Sequence, residues 1–212
     1  MNTFRERPIL MNGESVIGII DLRKTQTRRV VKGRIALDWL QPGMFSPRYV
    51  ALPENYLSPY GYAGDLLWVR ENCAIGINDD GELACDYFAD GKRRVFEQTI
   101  YNEADRGWLT YINDGRRPSI FMPRWASRIT LKITNVRVER LQEISLNDVK
   151  AEGIGPFTFA KGVLSDSPPD PRWKYIELWN SINAKRVYTW DSNPWIWVIE
   201  FKPIDQPAVN GD

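Results

Sequence analysis

The run Arg23-Lys24-Thr25-Gln26-Thr27-Arg28-Arg29 interleaves basic side chains with two hydroxyls. A solvated edge strand blunted by charge has this composition. The chemical alternative is that Lys24 and Thr27 flank a helix-to-strand junction, near enough to share a proton. A hydroxyl beside an amine is one of the few nucleophile arrangements open to a chain without histidine, and this chain has none. That absence excludes Ser-His-Asp and Cys-His triads and any His-ligated zinc or iron site. If the chain is an enzyme, its proton transfers fall to Lys, Glu, Asp, Tyr or water. A second candidate is Trp68-Val69-Arg70-Glu71, where an aromatic ring, a cation and a carboxylate end an apolar strand. It reads equally as a strand-end ion pair over a core tryptophan or as the wall of a pocket. The third is Glu152, in Ala151-Glu152-Gly153 at the end of an expected helix. A carboxylate opposes the helix dipole there, and such local violations sometimes mark sites, although an ordinary exposed glutamate also fits. No Gly-rich phosphate loop is present. Cys73 and Cys85 are twelve residues apart and do not form a zinc-ligand pair of pairs, so they read as two reduced thiols.

The elements that must hold these residues follow from local pattern. Ile9 to Arg23 reads as a short helix from Val16, Ile19, Ile20 and Arg23, and residues 24–31 leave it as a β-branched, basic strand. The proline- and glycine-punctuated stretch 33–63 reads as an ordered loop region. Gly64-Asp65 turns into a buried strand, Leu66 to Arg70. A hairpin is expected around Glu82 to Phe88 with Asp79-Asp80-Gly81 and Asp90-Gly91 as turns, and 97–117 reads as an insertion. Ile129, Leu131 and Ile133 alternate, then Val136 and Val138 resume on the other parity, which predicts a bulge near Thr134-Asn135. Ser145 opens a helix with Asp148 as capping-box partner and Gly153 as its stop. A second loop spans 155–171, a helix runs from Trp173 to about Lys185, and Trp195 to Phe201 closes the chain's strands.

Hydrophobic residues make up 43% and charged residues 26% of the 212, the composition of a folded domain and not of a disordered chain. The net charge of +1 argues against bulk electrostatic binding of long duplex DNA. It leaves nucleosides, nucleotides and short single strands open. The first residues lack the apolar region of a signal peptide, and no stretch approaches a membrane helix, so a cytoplasmic location is expected. Few helices and many short strands suggest a mixed α/β, mainly β fold, a small barrel with peripheral helices.

These segments together resemble the ASCH family. The Lys-x-x-Thr-x-Arg pattern at Lys24, Thr27 and Arg29 is similar to that family's signature, and Gly64 to Glu71 resembles the segment that follows it. Ser145 through Gly153 and Trp197 to Phe201 match the family's later helix and closing strand, in family order. Asn193-Pro194-Trp195 before the last strand is similar to longer phage and prophage members. The chain departs from the family at Leu22 and Arg23, where glycine is usual, and in extra length near 33–60, 76–122 and 155–172 of a single domain over 1–212. The resemblance implies a PUA-like β-barrel. It further implies a metal-independent, cofactor-free amidohydrolase that removes the acyl group from N4-acylated cytosine nucleosides. Lys24, Thr27 and Glu152 match its catalytic set; from their own residue types and positions, Arg29, Trp68, Arg70 and Glu71 are expected to bind substrate. Either Thr27 attacks the acyl carbon while Lys24 takes its proton, or Glu152 activates water while Lys24 and Thr27 hold the carbonyl oxygen. The partner would be a nucleoside or modified base, with RNA a further possibility and no membrane. Other members bind RNA without turnover, and a ribonuclease using Lys24 and Arg29 is the third alternative.

Overall fold

Glu6–Leu10 forms a strand, β1, whose last two residues, Ile9 and Leu10, fall where the sequence predicts the start of a helix. It runs parallel to Leu66–Arg70, β3, with Ile9 opposite Val69. Only Ile9 is buried along it, and Pro8 is tolerated because an edge strand needs no N–H on its open side. The helix α1 is therefore confined to Gly13–Ile20, capped by Asn12, whose side chain accepts from Ser15 N at 2.8 Å. Long-range pairing with β3 decides the conformation of Ile9 and Leu10, which helical spacing alone cannot foresee. The computed structural model describes residues 4–77, 82–96, 116–155 and 172–205. Their contacts divide the chain into two compact units, each built from separated segments.

In the first unit (Met1–Ile20, Asp65–Lys132 and Pro203–Asp212), β3 pairs antiparallel with the first residues of Thr130–Arg140, β8. A second sheet has the order β6-β5-β4-β7, from Arg93–Phe96, Leu83–Tyr87, Cys73–Ile77 and Arg116–Arg117. The Asp90-Gly91 turn joins β5 to β6, with Gly91 at φ +71°; the expected turn at 79–81 lies outside the described residues. Cys73 and Cys85 are free thiols buried in this sheet's core with Ile75, Leu83, Tyr87 and Phe96.

In the second unit (Asp21–Gly64 and Ile133–Lys202), the order is β8-β9-β2, with β9 at Trp195–Asp205 and β2 at Gln26–Val30. Burial along β8 changes parity after the two exposed residues Thr134 and Asn135, as the sequence predicts. The stretch 33–63 contains two short helices, α2 (Arg34–Trp39) and α3 (Pro47–Val50). Leu146–Ala151, α4, and Trp173–Asn183, α5, supply Val149, Tyr175 and Trp179 to a core completed by Leu141, Ile144, Ile196 and Val198. Val30 and Arg28 stand opposite Ile196 and Val198 in register, and residues directly opposite share a face. One face of this sheet thus runs from an apolar end at Val30 to a charged end at Arg28 and Gln26. The architecture is mixed α/β and mainly sheet, and among the described residues no pairing closes a ring of strands. No helix among the described residues is long and apolar enough to cross a membrane. The expected insertion at 97–117 and loop at 155–171 fall almost wholly outside the described residues.

Candidate functional site

Helix α4 begins as its sequence dictates. Ser145 caps it, accepting from Asp148 N while the Asp148 side chain accepts from Ser145 N, so two orphan N–H groups are satisfied reciprocally. It ends at Glu152, followed by Gly153 at φ +85°, the left-handed position that glycine fills without strain. A side chain at Gly153 would also meet Lys24, since an added Cβ falls 3.0 Å from the Lys24 Cβ. Glycine therefore lets two backbones approach. Lys24 and Glu152 form an isolated antiparallel bridge, and Thr25 N donates to Ala151 O at 2.8 Å.

That approach joins two of the residues singled out by sequence. The Lys24 ammonium donates to Glu152 Oε2 at 2.6 Å and to the Glu152 carbonyl at 3.0 Å. Both side chains are nearly sealed, at 4% and 7% exposure. Burial pushes the Lys24 ammonium below the usual lysine value; Glu152 pulls it back up, and the charges of Arg29 and Arg28 push it further down. The other Glu152 oxygen accepts from Arg28 Nη1 at 3.2 Å. Arg28 is itself buried, and its Nη2 donates to Glu139 at 2.8 Å and lies 3.4 Å from Asp148. Burial opposes the Arg28 charge, but Glu152, Tyr175 and Glu139 together raise its pKa above the ordinary value. Arg137 extends the network, donating to Glu139 at 2.9 Å, to Asp148 at 2.8 Å and to Glu200. The ring of Tyr175 sits 5.9 Å from the Arg28 guanidinium, and burial raises its hydroxyl well above the usual phenol value.

Thr27 is buried on β2, opposite Ile199, and alternation places it with Arg29 on the face away from Gln26 and Arg28. The described hydrogen bonds of the Lys24 ammonium both end on Glu152, not on Thr27. Trp68, Arg70 and Glu71 belong to the first unit and have partners there. Glu71 holds Arg128 through both oxygens, at 2.8 and 2.9 Å, and Asp90 takes the remaining Arg128 nitrogen at 2.7 Å. Arg70 lies 4.5 Å from the Trp68 ring and donates to the Ile120 carbonyl at 2.9 Å. This is the strand-end ion pairing that the residue types allow.

Sequence reasoning passed over Arg28, Arg137, Glu139 and Asp148 as members of one network. Strand alternation through Lys24, Gln26 and Arg28 is a signal that places Arg28 beside Lys24. The acids have no such signal, because each reaches Arg28 from more than a hundred residues away. Among the described residues no group of three potential metal ligands converges.

No family model matches the chain, and no curated protein does. Two solved structures are similar to it. One is protein EF3133 from Enterococcus faecalis V583, of family-model DUF984, with a TM-score of 0.43 and 9% identity over 100% of this chain and 88% of that one. The other is an ASCH domain from Lactobacillus crispatus JV V101, with a TM-score of 0.40 and 10% identity over 94% of this chain and 79% of that one. Likenesses this distant carry no argument about chemistry, which stands on the chain's own residues.

Proposed function

We propose that this chain is an amidohydrolase that converts an N4-acylated cytosine nucleoside and water to the cytosine nucleoside and a carboxylic acid. The supporting observation is the buried contact of 2.6 Å between Lys24 and Glu152, with burial lowering the lysine pKa. A proton crosses that distance without any movement of heavy atoms. The pair can therefore take a proton from the attacking oxygen and return it to N4 as the amine leaves, which is general acid–base catalysis without histidine. Because the described hydrogen bonds of Lys24 end on Glu152, the variant in which Glu152 activates water is favoured. The Lys24 ammonium then holds the carbonyl oxygen as its charge develops, and Thr27, on the face of β2 away from Arg28, has no step in this variant. Arg28 fixes the far oxygen of Glu152 and keeps the carboxylate from turning away. The PUA-like barrel and a cytoplasmic location belong to the same proposal.

The test is incubation of the purified chain with N4-acetylcytidine in EDTA, following cytidine and acetate by chromatography, with labelled RNA in a parallel reaction. Turnover is expected to persist in EDTA. Lys24→Arg, which keeps the charge but cannot release a proton near neutral pH, and Glu152→Gln are each expected to lose about 10²–10⁴ in rate. Unchanged rates in both variants, or RNA cleavage or retention in place of cytidine release, would refute the proposal.

A further inference from the structure

In the second unit, the residues around α3 and a stretch of β8 wall a cavity of about 370 Å³, a size at the lower end of small-molecule sites. Leu52, Pro53 and Val138 give it apolar surface, and Arg48, Asn135 and Arg137 give it polar groups. The two arginines differ in what they can still bind. Arg137 spends its Nε, Nη1 and Nη2 on Glu139, Glu200 and Asp148. A guanidinium held by its edges offers its faces, which stack on flat rings. Arg48 is exposed and has no acid partner among the described residues. It is nevertheless well placed: Ser46 caps α3, Pro47 begins it, and Tyr49 stacks on Phe45 with centroids 4.8 Å apart. The acids around Arg137 repel an anion, so a bipolar ligand is oriented with its negative end toward Arg48. Asn135 donates through Nδ2 to Glu200 at 3.4 Å, which orients its amide oxygen as an acceptor for the donor edge of a nucleobase.

We propose that this cavity binds a nucleoside 5′-monophosphate, its base flat on Arg137 beside Leu52, Pro53 and Val138 and its phosphate at Arg48. The inference goes beyond the proposed hydrolysis and does not depend on it. Occupancy bears on the candidate site nonetheless, because Arg137 shares Glu139 and Asp148 with Arg28, and Arg28 holds Glu152.

Isothermal titration with cytidine 5′-monophosphate, cytidine and inorganic phosphate tests it, on wild type and on Arg48→Ala, Ala63→Trp and Lys24→Arg. Ala63 lines the cavity and is exposed, so a tryptophan there fills it without entering the core; thermal melting checks that each variant is folded. Wild type is expected to prefer the monophosphate over cytidine by at least about tenfold, a difference of roughly 1.4 kcal/mol. Arg48→Ala should erase that preference, Ala63→Trp should abolish binding, and Lys24→Arg should keep both. Equal affinities in wild type, or monophosphate binding that survives Ala63→Trp and disappears in Lys24→Arg, would overturn the proposal. Wild type that shows this binding pattern yet leaves N4-acetylcytidine intact removes the hydrolysis and leaves the site standing. Hydrolysis without monophosphate binding does the reverse.

Discussion

At Thr27 the two mechanisms make different demands on one hydroxyl. As the nucleophile it must be present and is acylated in each turnover; with Glu152 activating water, a buried residue on the face of β2 away from Arg28 has only to pack. Thr27→Ser and Thr27→Val are therefore both expected to stay within several-fold of wild type, and rapid mixing should show no burst of cytidine in the first turnover. A burst, or a loss of about 10²-fold or more in Thr27→Val alone, would move the nucleophile to Thr27. Glu71 illustrates a similar outcome at the same scale. Its residue type fits a pocket, but both its oxygens are committed to Arg128, so its side chain has a structural task that accounts for it. The ion-pair reading finds its partner more than fifty residues away, beyond the reach of any local pattern.

Helix α4 shows how an element converts local sequence into a site. Its start and stop were legible because a capping box and a C-terminal glycine act within a few residues. Its meaning was not, because Lys24 meets its end from 128 residues away. Gly153→Ala puts a side chain at φ +85° and against the Lys24 Cβ. It is expected to cost about 1–2 kcal/mol from the left-handed backbone alone, and to lower turnover by displacing Lys24; melting and rate measured together check both. At the other end, burial would raise the Asp148 carboxyl, but the Ser145 hydrogen bonds and the charges of Arg28 and Arg137 hold it well below the usual carboxylate range. Such a group stabilises fully above its unfolded pKa, and the stabilisation fades as pH falls through its folded value. Asp148→Asn keeps an acceptor for Ser145 N but gives up the charge facing Arg28 and Arg137, so it should be less stable by about 1 kcal/mol at pH 7, the upper end for a part-exposed ion pair. The gap should narrow progressively below about pH 4, where an aspartate in the unfolded chain takes up its proton. Denaturation at a series of pH values measures it; a gap that widens on acidification would contradict this account. The misreading of Ile9 and Leu10 has the same physical origin as the missed network. Periodicity reports which side of an element is apolar and says nothing about which distant strand that side will meet.

Taken whole, the molecule is two units that each draw on segments far apart in the chain. No composition shift or linker announces this, because the division follows contacts and not sequence order, and the sequence accordingly reads as one domain with insertions. The same arrangement places β2 at the edge of its sheet with β9 as its neighbour, and β9 begins at Trp195. On a ribosome, β2 therefore emerges long before the strand that pairs with it. At about 5–20 residues per second, the wait for some 165 intervening residues is roughly 8–33 seconds. An unpaired strand is a template for aggregation, and the common protection is positive charge along it. Arg28 and Arg29, within β2, and Arg23 and Lys24, just before it, provide that protection during synthesis. The cations that later arrange Glu152 are thus expected to act first as the strand's guard on the nascent chain.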